Sequence, residues 1–172
     1  MIRIATVFSG IGAVEQALKQ MEIEHEIVFA CDNGERYLDL DVKEIKKEIR
    51  KCAGKETAEE VVSRLYNNTG KENNVKKSYF ANYEITEDRW FEDIRFVDGK
   101  PFKKQVDLFV GGSPCQSFST YGKKRGLEDV RGTLFYDYAR LIKEIQPKIT
   151  PGGESETYEY TWLKDKKYKI EG

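Results

Sequence analysis

One cysteine of the sequence stands in a setting that favours a reactive thiolate. Cys115 follows an apolar run, two glycines and a proline, and it precedes a segment with four basic residues. A thiol reacts as its thiolate, and partial exposure next to positive charge stabilises that form. The alternative is a small cysteine packed in the core, the more common environment of a free cysteine. The glycine-proline turn has no use in a core, so Cys115 is the candidate nucleophile.

The other cysteines and the single histidine lack a comparable setting. Cys31 ends an apolar strand pattern and Cys52 lies in a charged helix end, so both are predicted to be structural. Because His25 is the only histidine, a serine-histidine-aspartate triad or a zinc site with several imidazoles has too few ligands. Any chemistry therefore falls to a thiol or to carboxylates, and no metal site is predicted.

A glycine turn and an acid follow the first two predicted strands. Gly10 and Gly12 break an apolar run and open a helix pattern, and Asp32 ends the next strand 20 residues after Gly12. That spacing lets an acid accept hydrogen bonds from a ribose diol. A tight turn with an N-capping aspartate is the alternative, since a lone Gly-x-Gly is a weak signal. The pattern indicates a nucleoside-containing ligand.

The third position of this turn helps to select the ligand. Glu15 stands where a pyrophosphate-binding loop carries glycine. A carboxylate in the first turn of a helix repels phosphate. S-adenosylmethionine has no phosphate and carries a sulfonium and an ammonium group, so the sequence favours it over a dinucleotide as cofactor.

These residues need a sheet whose strands deliver them to one edge, and the hydropathy pattern predicts such a sheet. Ligands of open α/β sheets bind outside the carboxyl ends of the strands, which is where both glycine segments fall. The sheet is expected to stop after about four strands, leaving an apolar edge that favours association with a partner or with itself. The predicted strands cover residues 2–8, 26–30, 89–94 and 106–110, and an alternating strand pattern covers Thr157–Trp162. Helices are predicted over 13–20, within 35–68 and from a cap at Thr133 to Pro147. A polar loop or insertion is predicted over 69–82 and a linker over 149–153.

Length and composition bound the class of protein. The chain has 172 residues, 34% of them charged and 39% apolar, which fits one soluble globular domain. The formal charge is −1, so a nucleic-acid partner must be met by a local basic patch. An odd number of cysteines without a signal peptide favours the cytoplasm, and no run approaches the ~20 apolar residues of a membrane span.

Five segments resemble, in order, the first five motifs of the cytosine-C5 DNA methyltransferases. They are Phe8-Ser-Gly-Ile-Gly12, Asp32, Glu92-Asp93-Ile94, Gly112-Ser-Pro-Cys-Gln-Ser-Phe-Ser119 and Arg131-Gly-Thr-Leu-Phe-Tyr-Asp137. The resemblance implies a Rossmann-like S-adenosylmethionine-dependent methyltransferase fold, α/β with a mostly parallel sheet that is incomplete here. It makes residues 1–148 a partial catalytic domain with an insertion near 40–88, and residues 149–172 a tail or junction of uncertain origin.

The resemblance also implies a role for each matching residue. Asp32 binds the ribose of the methyl donor and Asp93 its adenine amino group. Phe8, Gly10, Gly12, Ile94, Pro114 and Leu134 complete the donor site, Pro114, Cys115 and Gln116 face the base, and Gln116, Ser119, Lys123, Lys124, Arg125 and Arg131 contact DNA.

The implied chemistry explains why a cysteine is needed. Cytosine C5 is a poor nucleophile, so the Cys115 thiolate adds to C6, C5 takes the sulfonium methyl group, and loss of the C5 proton expels the thiol. The base must first leave the DNA stack. The glycine-jointed segment 117–132, with a local charge excess of +2, is the expected lid over the phosphates.

The sequence departs from the family after Lys148. The Glu-Asn-Val motif, whose glutamate protonates cytosine N3, does not occur, and neither do the later motifs or a recognition domain of normal size. The chain is therefore expected to be inactive alone and to represent an internal deletion or one part of a split enzyme. Two alternatives stay open: a methyltransferase acting on cytosine in RNA, and a catalytically dead module that binds S-adenosylmethionine or DNA.

Overall fold

A computed structural model describes residues 1–112, 130–150 and 153–154, the last pair and residues 130–133 by backbone alone. The described chain alternates strands with helices and carries a long helical segment between its second and third strands. The elements are β1 (Ile2–Val7), α1 (Ala13–Gln20), β2 (His25–Cys31), α2 (Val42–Cys52), α3 (Ala58–Asn67), α4 (Asn74–Asn82), β3 (Trp90–Phe91), β4 (Leu108–Gly111), α5 (Val130–Ile145), β5 (Ile149–Thr150) and β6 (Gly153–Glu154).

The strands form one sheet in the order β3-β2-β1-β4-β5-β6. The pairs from β3 to β5 are parallel, and β6 is antiparallel to β5. Ile4 in the central strand pairs with Ile27 on one side and Leu108 on the other. The parallel α/β sheet confirms the predicted fold class.

Successive residues of β1 face opposite sides of the sheet, and each side is covered by helices. Ala5 and Val7 belong to one apolar cluster with Leu141 and Ile145 of α5. Ile4 belongs to a second cluster, with Leu18 of α1 and Tyr79 of α4. Each fully buried large apolar side chain stabilises the fold by about 1.5–3 kcal/mol. Burial on both faces explains why the strands read as continuous apolar runs.

The connection from β2 to β3 is far longer than the dozen or so residues that a crossover needs. Helices α2 and α3 pack through a third cluster that includes Ile45, Val62 and Tyr66. Both helices begin with a capping box, one between Asp41 and Glu44 and the other between Thr57 and Glu60. Each capping side chain contributes about 1 kcal/mol, so this segment is well-formed helix.

The predicted loop over 69–82 is wrong, because residues 74–82 form α4. Although this segment is mostly polar, it carries aromatic residues at helical spacing: Tyr79 is fully buried, and Tyr83 follows four residues later. Asn73 caps the helix, its side chain accepting from the Lys76 amide at 2.9 Å. A buried stripe thus outweighs a run of lysine and asparagine.

Two expectations about the end of the domain are also wrong. Ile149 and Thr150 form β5 rather than a linker, and β5 pairs with β4. This strand of two residues is too short to give a hydropathy signal. The pairing joins Leu108 to Ile149, so the sheet does not stop at β4 as expected. The predicted association with a partner or with itself is not tested by this pairing and stays a prediction.

The last helix begins at Val130, earlier than the predicted cap at Thr133. The predicted strand over Thr157–Trp162 lies outside the described residues. Within the described part of the chain, no helix has the length and apolar character needed to cross a bilayer.

Candidate active site

The glycine turn and the acid after β2 meet at the carboxyl edge of the sheet. The Gly10 amide donates to Asp32 Oδ2 at 2.9 Å, and the Gly34 amide donates to Asp32 Oδ1 at 2.8 Å. A carboxylate oxygen accepts two hydrogen bonds, so each Asp32 oxygen keeps one acceptor position with respect to the part of the chain that the structure describes. Asp32 is half-buried, which leaves these positions open to a ligand.

The turn has an unusual backbone. Phe8, Gly10 and Gly12 have φ of 54°, 54° and 84°. A positive φ is uncommon for phenylalanine, and such residues cluster at functional sites. A Cβ on Gly12 would lie 2.2 Å from Cε2 of Tyr83, so glycine is required both by φ and by the tyrosine ring.

Ser9 joins the ends of β1 and β2. Its Oγ accepts from the Cys31 amide at 3.1 Å, and its own amide donates to the Cys31 carbonyl at 3.2 Å. These bonds hold the turn beside the strand that leads to Asp32. Sequence reasoning gave Ser9 no role, because its partner is distant along the chain.

Glu15 lies in the core beneath the turn. It is 1% exposed, and its Oε1 accepts from Thr6 Oγ1 at 2.8 Å and from the Tyr79 hydroxyl at 2.6 Å. Burial raises the pKa of Tyr79, which keeps this hydroxyl a donor. Glu15 Oε2 has no hydrogen-bond partner among the described residues. Glu15 is therefore buried beneath the first turn of α1 and is not presented to a ligand at the surface of the turn.

The carboxylate of Asp93 is surrounded by hydrogen-bond donors. Oδ1 accepts from the amide and Nε of Arg95 at 3.0 and 2.9 Å. Oδ2 accepts from the Tyr66 hydroxyl at 2.8 Å and from Nη2 of Arg95 at 2.6 Å. Burial raises the pKa of Tyr66, so it stays protonated. The next residue, Ile94, is buried in the main core.

A buried polar cluster links the segments that carry the two acids. Arg36 and Glu92 form an ion pair in which both side chains are almost fully buried. Nδ2 of Asn73 donates to Glu92 Oε2 at 2.9 Å and to the backbone carbonyl of Asp32 at 3.0 Å. Breaking this ion pair would leave a buried charge without a partner, which is strongly unfavourable. The cluster therefore fixes the segment that follows β2.

The strand that precedes Cys115 in the sequence, β4, ends next to the glycine turn. Val7, the last residue of β1, pairs with Gly111, the last residue of β4. Gly111 is tightly packed, since a Cβ there would lie 2.6 Å from Cε2 of Tyr138. The chain that continues from Gly112 therefore starts at the same edge as the glycine turn.

The remaining predicted residues are described in part or not at all. Leu134 is half-buried against the main core, and Arg131 is described by backbone only. Seven residues lie outside the described residues: Pro114, Cys115, Gln116, Ser119, Lys123, Lys124 and Arg125. Their assignments stay predictions.

A separate cleft of about 360 Å³ lies at the other end of the strands, next to Arg3, Glu26 and Gln105. Its arginines are already paired, Arg3 with Asp107 and Arg89 with Glu26. It is remote from the glycine turn and is no candidate for the donor site.

The parallel sheet, with a glycine turn and an acid meeting at its carboxyl edge, defines a Rossmann-like S-adenosylmethionine-dependent methyltransferase fold. Residues 53–150 match the model of the family described as C-5 cytosine-specific DNA methylase. The chain belongs to this family, and the family resemblance of the motifs is confirmed.

Named relatives match the chain over a small part of their own length. It is 33% identical over 148 residues to orphan methyltransferase M.SPRI of Bacillus phage SPR, a match that covers 86% of this chain and 25% of the relative. It is 54% identical over 57 residues to type II methyltransferase M.Eco47II of Escherichia coli, covering 33% of this chain and 14% of the relative. The solved S. pombe Dnmt2 methyltransferase aligns with TM-score 0.48 and 17% identity, covering 96% of this chain and 42% of that one.

Proposed function

We propose that this chain is the donor-binding and nucleophile-bearing part of a DNA (cytosine-5-)-methyltransferase. The observation that carries the proposal is the meeting of the Gly10 amide with the Asp32 carboxylate at 2.9 Å, at the edge where β4 delivers the segment that holds Cys115. The chain spans about a quarter of the length of the phage relative. Activity, substrate and partners of a complete enzyme are therefore part of the proposal.

The described residues fit S-adenosylmethionine. When bound, this donor supplies an electrophilic methyl group on its sulfonium. The free acceptor positions of Asp32 suit the ribose hydroxyls, and the strained turn from Phe8 to Gly12 lets the backbone approach a ligand closely. Leu134, in the N-terminal part of α5, is proposed to line the donor pocket.

Asp93 has a conditional role in this proposal. Both of its oxygens are saturated, so it contacts the adenine amino group only if one donor leaves. The Arg95 side chain is 19% exposed, whereas Tyr66 is fully buried. Arg95 is therefore the donor that turns away, and Ile94 supports the adenine through its position in the core.

The chemical step is assigned to Cys115. Its thiolate forms the bond to cytosine C6, and the proton later lost from C5 lets the thiol depart. Pro114 and Gln116 are proposed to flank the flipped base. Ser119 and the basic residues Lys123, Lys124, Arg125 and Arg131 are proposed to contact the phosphates of double-stranded DNA. A reduced thiol persists in the cytoplasm, where we place the protein.

A complementing polypeptide is the remaining partner in the proposal. General acid help at cytosine N3 contributes about 10²–10⁴-fold, and no residue of the first five motifs provides it. We expect the 172-residue chain alone to transfer tritiated methyl groups to a cytosine-containing duplex at least 100-fold more slowly than with a fragment that carries the later motifs. Robust turnover by the chain alone would contradict this requirement.

Two measurements test the function itself. S-adenosylhomocysteine should bind the full chain in calorimetry. With the complementing fragment and donor, Cys115 should become covalently trapped on a duplex that contains 5-fluorocytosine, because fluorine replaces the proton whose loss releases the enzyme. The variant Cys115→Ser is the control. Trapping on fluorinated RNA instead of DNA would move the assignment to RNA, and binding without trapping would identify a catalytically dead module.

A further inference from the structure

Three side chains from the helical segment between β2 and β3 reach the segments proposed to hold the donor. Each donates one hydrogen bond to a different segment. The bonds join the Tyr66 hydroxyl to Asp93 Oδ2 at 2.8 Å, Nδ2 of Asn73 to the Asp32 carbonyl at 3.0 Å, and the Tyr83 hydroxyl to the Gly12 carbonyl at 2.7 Å.

We infer that Tyr66, Asn73 and Tyr83 are positioning residues of the donor site, and that the helical segment is a working part of that site. The inference rests on the proposed function, because it assumes that Gly12, Asp32 and Asp93 belong to the donor site. The three residues touch no reacting atom. They act by fixing the segments that do contact the donor.

Tyr66 fixes the side chain of Asp93. Its ring is fully buried in the cluster formed by α2 and α3, so the hydroxyl has no freedom to move away. Arg95, the other donor to Asp93, is partly exposed and can turn to solvent. When the adenine amino group takes the place of Arg95, Tyr66 remains as the side chain that orients the carboxylate.

Asn73 fixes the backbone at Asp32. It is buried, and it spans three elements: its Oδ1 caps α4, while its Nδ2 bridges the Asp32 carbonyl and Glu92. A Cβ on Gly34 would lie 2.3 Å from Asn73 Oδ1, so the asparagine lies directly against the chain that follows Asp32. The side chain holds the ribose-binding acid from behind.

Tyr83 fixes the glycine turn. Its ring occupies the space that a Cβ on Gly12 would fill, and its hydroxyl binds the carbonyl of the same residue. Both contacts hold Gly12 at its φ of 84°. A turn that is ordered before the ligand arrives does not have to be ordered by binding.

The test uses the full chain, S-adenosylhomocysteine and three variants. Tyr66→Phe and Tyr83→Phe each delete only a hydroxyl and one hydrogen bond. Asn73→Ser keeps an N-capping oxygen for α4 and removes the amide that donates to both the Asp32 carbonyl and Glu92. We expect each variant to raise the calorimetric Kd about three- to tenfold, which corresponds to the loss of about one hydrogen bond to the proposed donor site.

The matched control is Thr57→Ala. Thr57 caps α3 in the same helical segment, its Oγ1 accepting from the Glu60 amide at 3.2 Å, and it bonds to no residue of the proposed donor site among the described residues. It should lower the unfolding temperature without changing the Kd. If its Kd rises as much as in the other variants, the effect is general destabilisation and the inference is overturned.

A second ligand separates positioning from stability. S-inosylhomocysteine lacks the adenine amino group that Asp93 is proposed to recognise. Tyr66→Phe should reduce the preference for S-adenosylhomocysteine over this analogue, whereas Tyr83→Phe should weaken both ligands equally. Unchanged Kd values and an unchanged preference would overturn the inference and leave the proposed function intact. Failure of the unaltered chain to bind S-adenosylhomocysteine would refute the proposed function itself.

Discussion

Replacing Asp32 by alanine should reduce both stability and donor affinity, because one carboxylate serves two purposes. It accepts the Gly10 and Gly34 amides without any ligand. A hydrogen bond to a charged group contributes about 1.5–3 kcal/mol, and half-burial places these two at the lower end. We expect Asp32→Ala to lower the free energy of unfolding by about 2–3 kcal/mol and the unfolding temperature by about 5–10 °C.

The same variant should weaken S-adenosylhomocysteine at least tenfold, since the ribose contacts contribute about 1.5–3 kcal/mol more. The affinity of Asp32→Asn for this ligand should lie between those of Asp32→Ala and the unaltered protein, because the asparagine amide keeps one acceptor oxygen. Thermal unfolding without ligand and calorimetry with ligand measure the two effects separately. Asp39→Asn, an exposed position in the same segment, is the control.

An unchanged unfolding temperature in Asp32→Ala would refute the role given to the two amide bonds. An unchanged Kd would refute the assignment of Asp32 to the ribose. A loss of affinity in Asp39→Asn of similar size would show that any charge in this segment attracts the ligand, and that the geometry at Asp32 is irrelevant.

Three further predictions concern other parts of the chain. Hydrogen bonding by Arg3 holds the pKa of Asp107 well below its usual range. The stabilisation from Asp107 is therefore present above the pKa of the unfolded chain, near 4, and is lost as the pH falls. Asp107→Asn should lower the free energy of unfolding in urea by about 1–2 kcal/mol at pH 7, and progressively less below about pH 4. Iodoacetamide at neutral pH should label Cys115 before the other two cysteines, whose thiol pKa values burial raises, and peptide mapping that finds either of those labelled first would contradict the assignment. Gly111→Ala, whose Cβ would lie 2.6 Å from the Tyr138 ring, should lower the free energy of unfolding by about 1–3 kcal/mol in the same assay, whereas alanine at Gly112, whose added Cβ has no atom of the described residues within 4 Å, should have little effect.

The sequence was sufficient for features that depend on local spacing. The apolar runs predict β1, β2 and β4, and the distance from Gly12 to Asp32 places the turn and the acid together, as the hydrogen bond from the Gly10 amide shows. Such features follow from residues that are close along the chain or that sit at corresponding ends of parallel strands.

The parts that the sequence could not predict depend on contacts between distant residues. No local sequence pattern predicts that Tyr66 donates to Asp93 or that Asn73 donates to both the Asp32 carbonyl and Glu92. The burial of Glu15 was missed for the same reason, since its partner Tyr79 lies on α4, a segment whose polar composition predicted a loop. Motif analysis finds the residues that face a ligand, while the residues that hold them are set by tertiary packing.

The central position of β1 has a consequence for synthesis of the protein. Its first partner, β2, is complete at residue 31, but the other edge of β1 pairs with β4 at Leu108–Gly111. During translation, at about 5–20 residues per second, β1 keeps one apolar edge open for several seconds after its first pairing is possible. Helix α4 emerges in that interval, and its Tyr79 can pack on Ile4 and Ile27, so part of one face of the β1–β2 pair can be covered before the last parallel neighbours arrive.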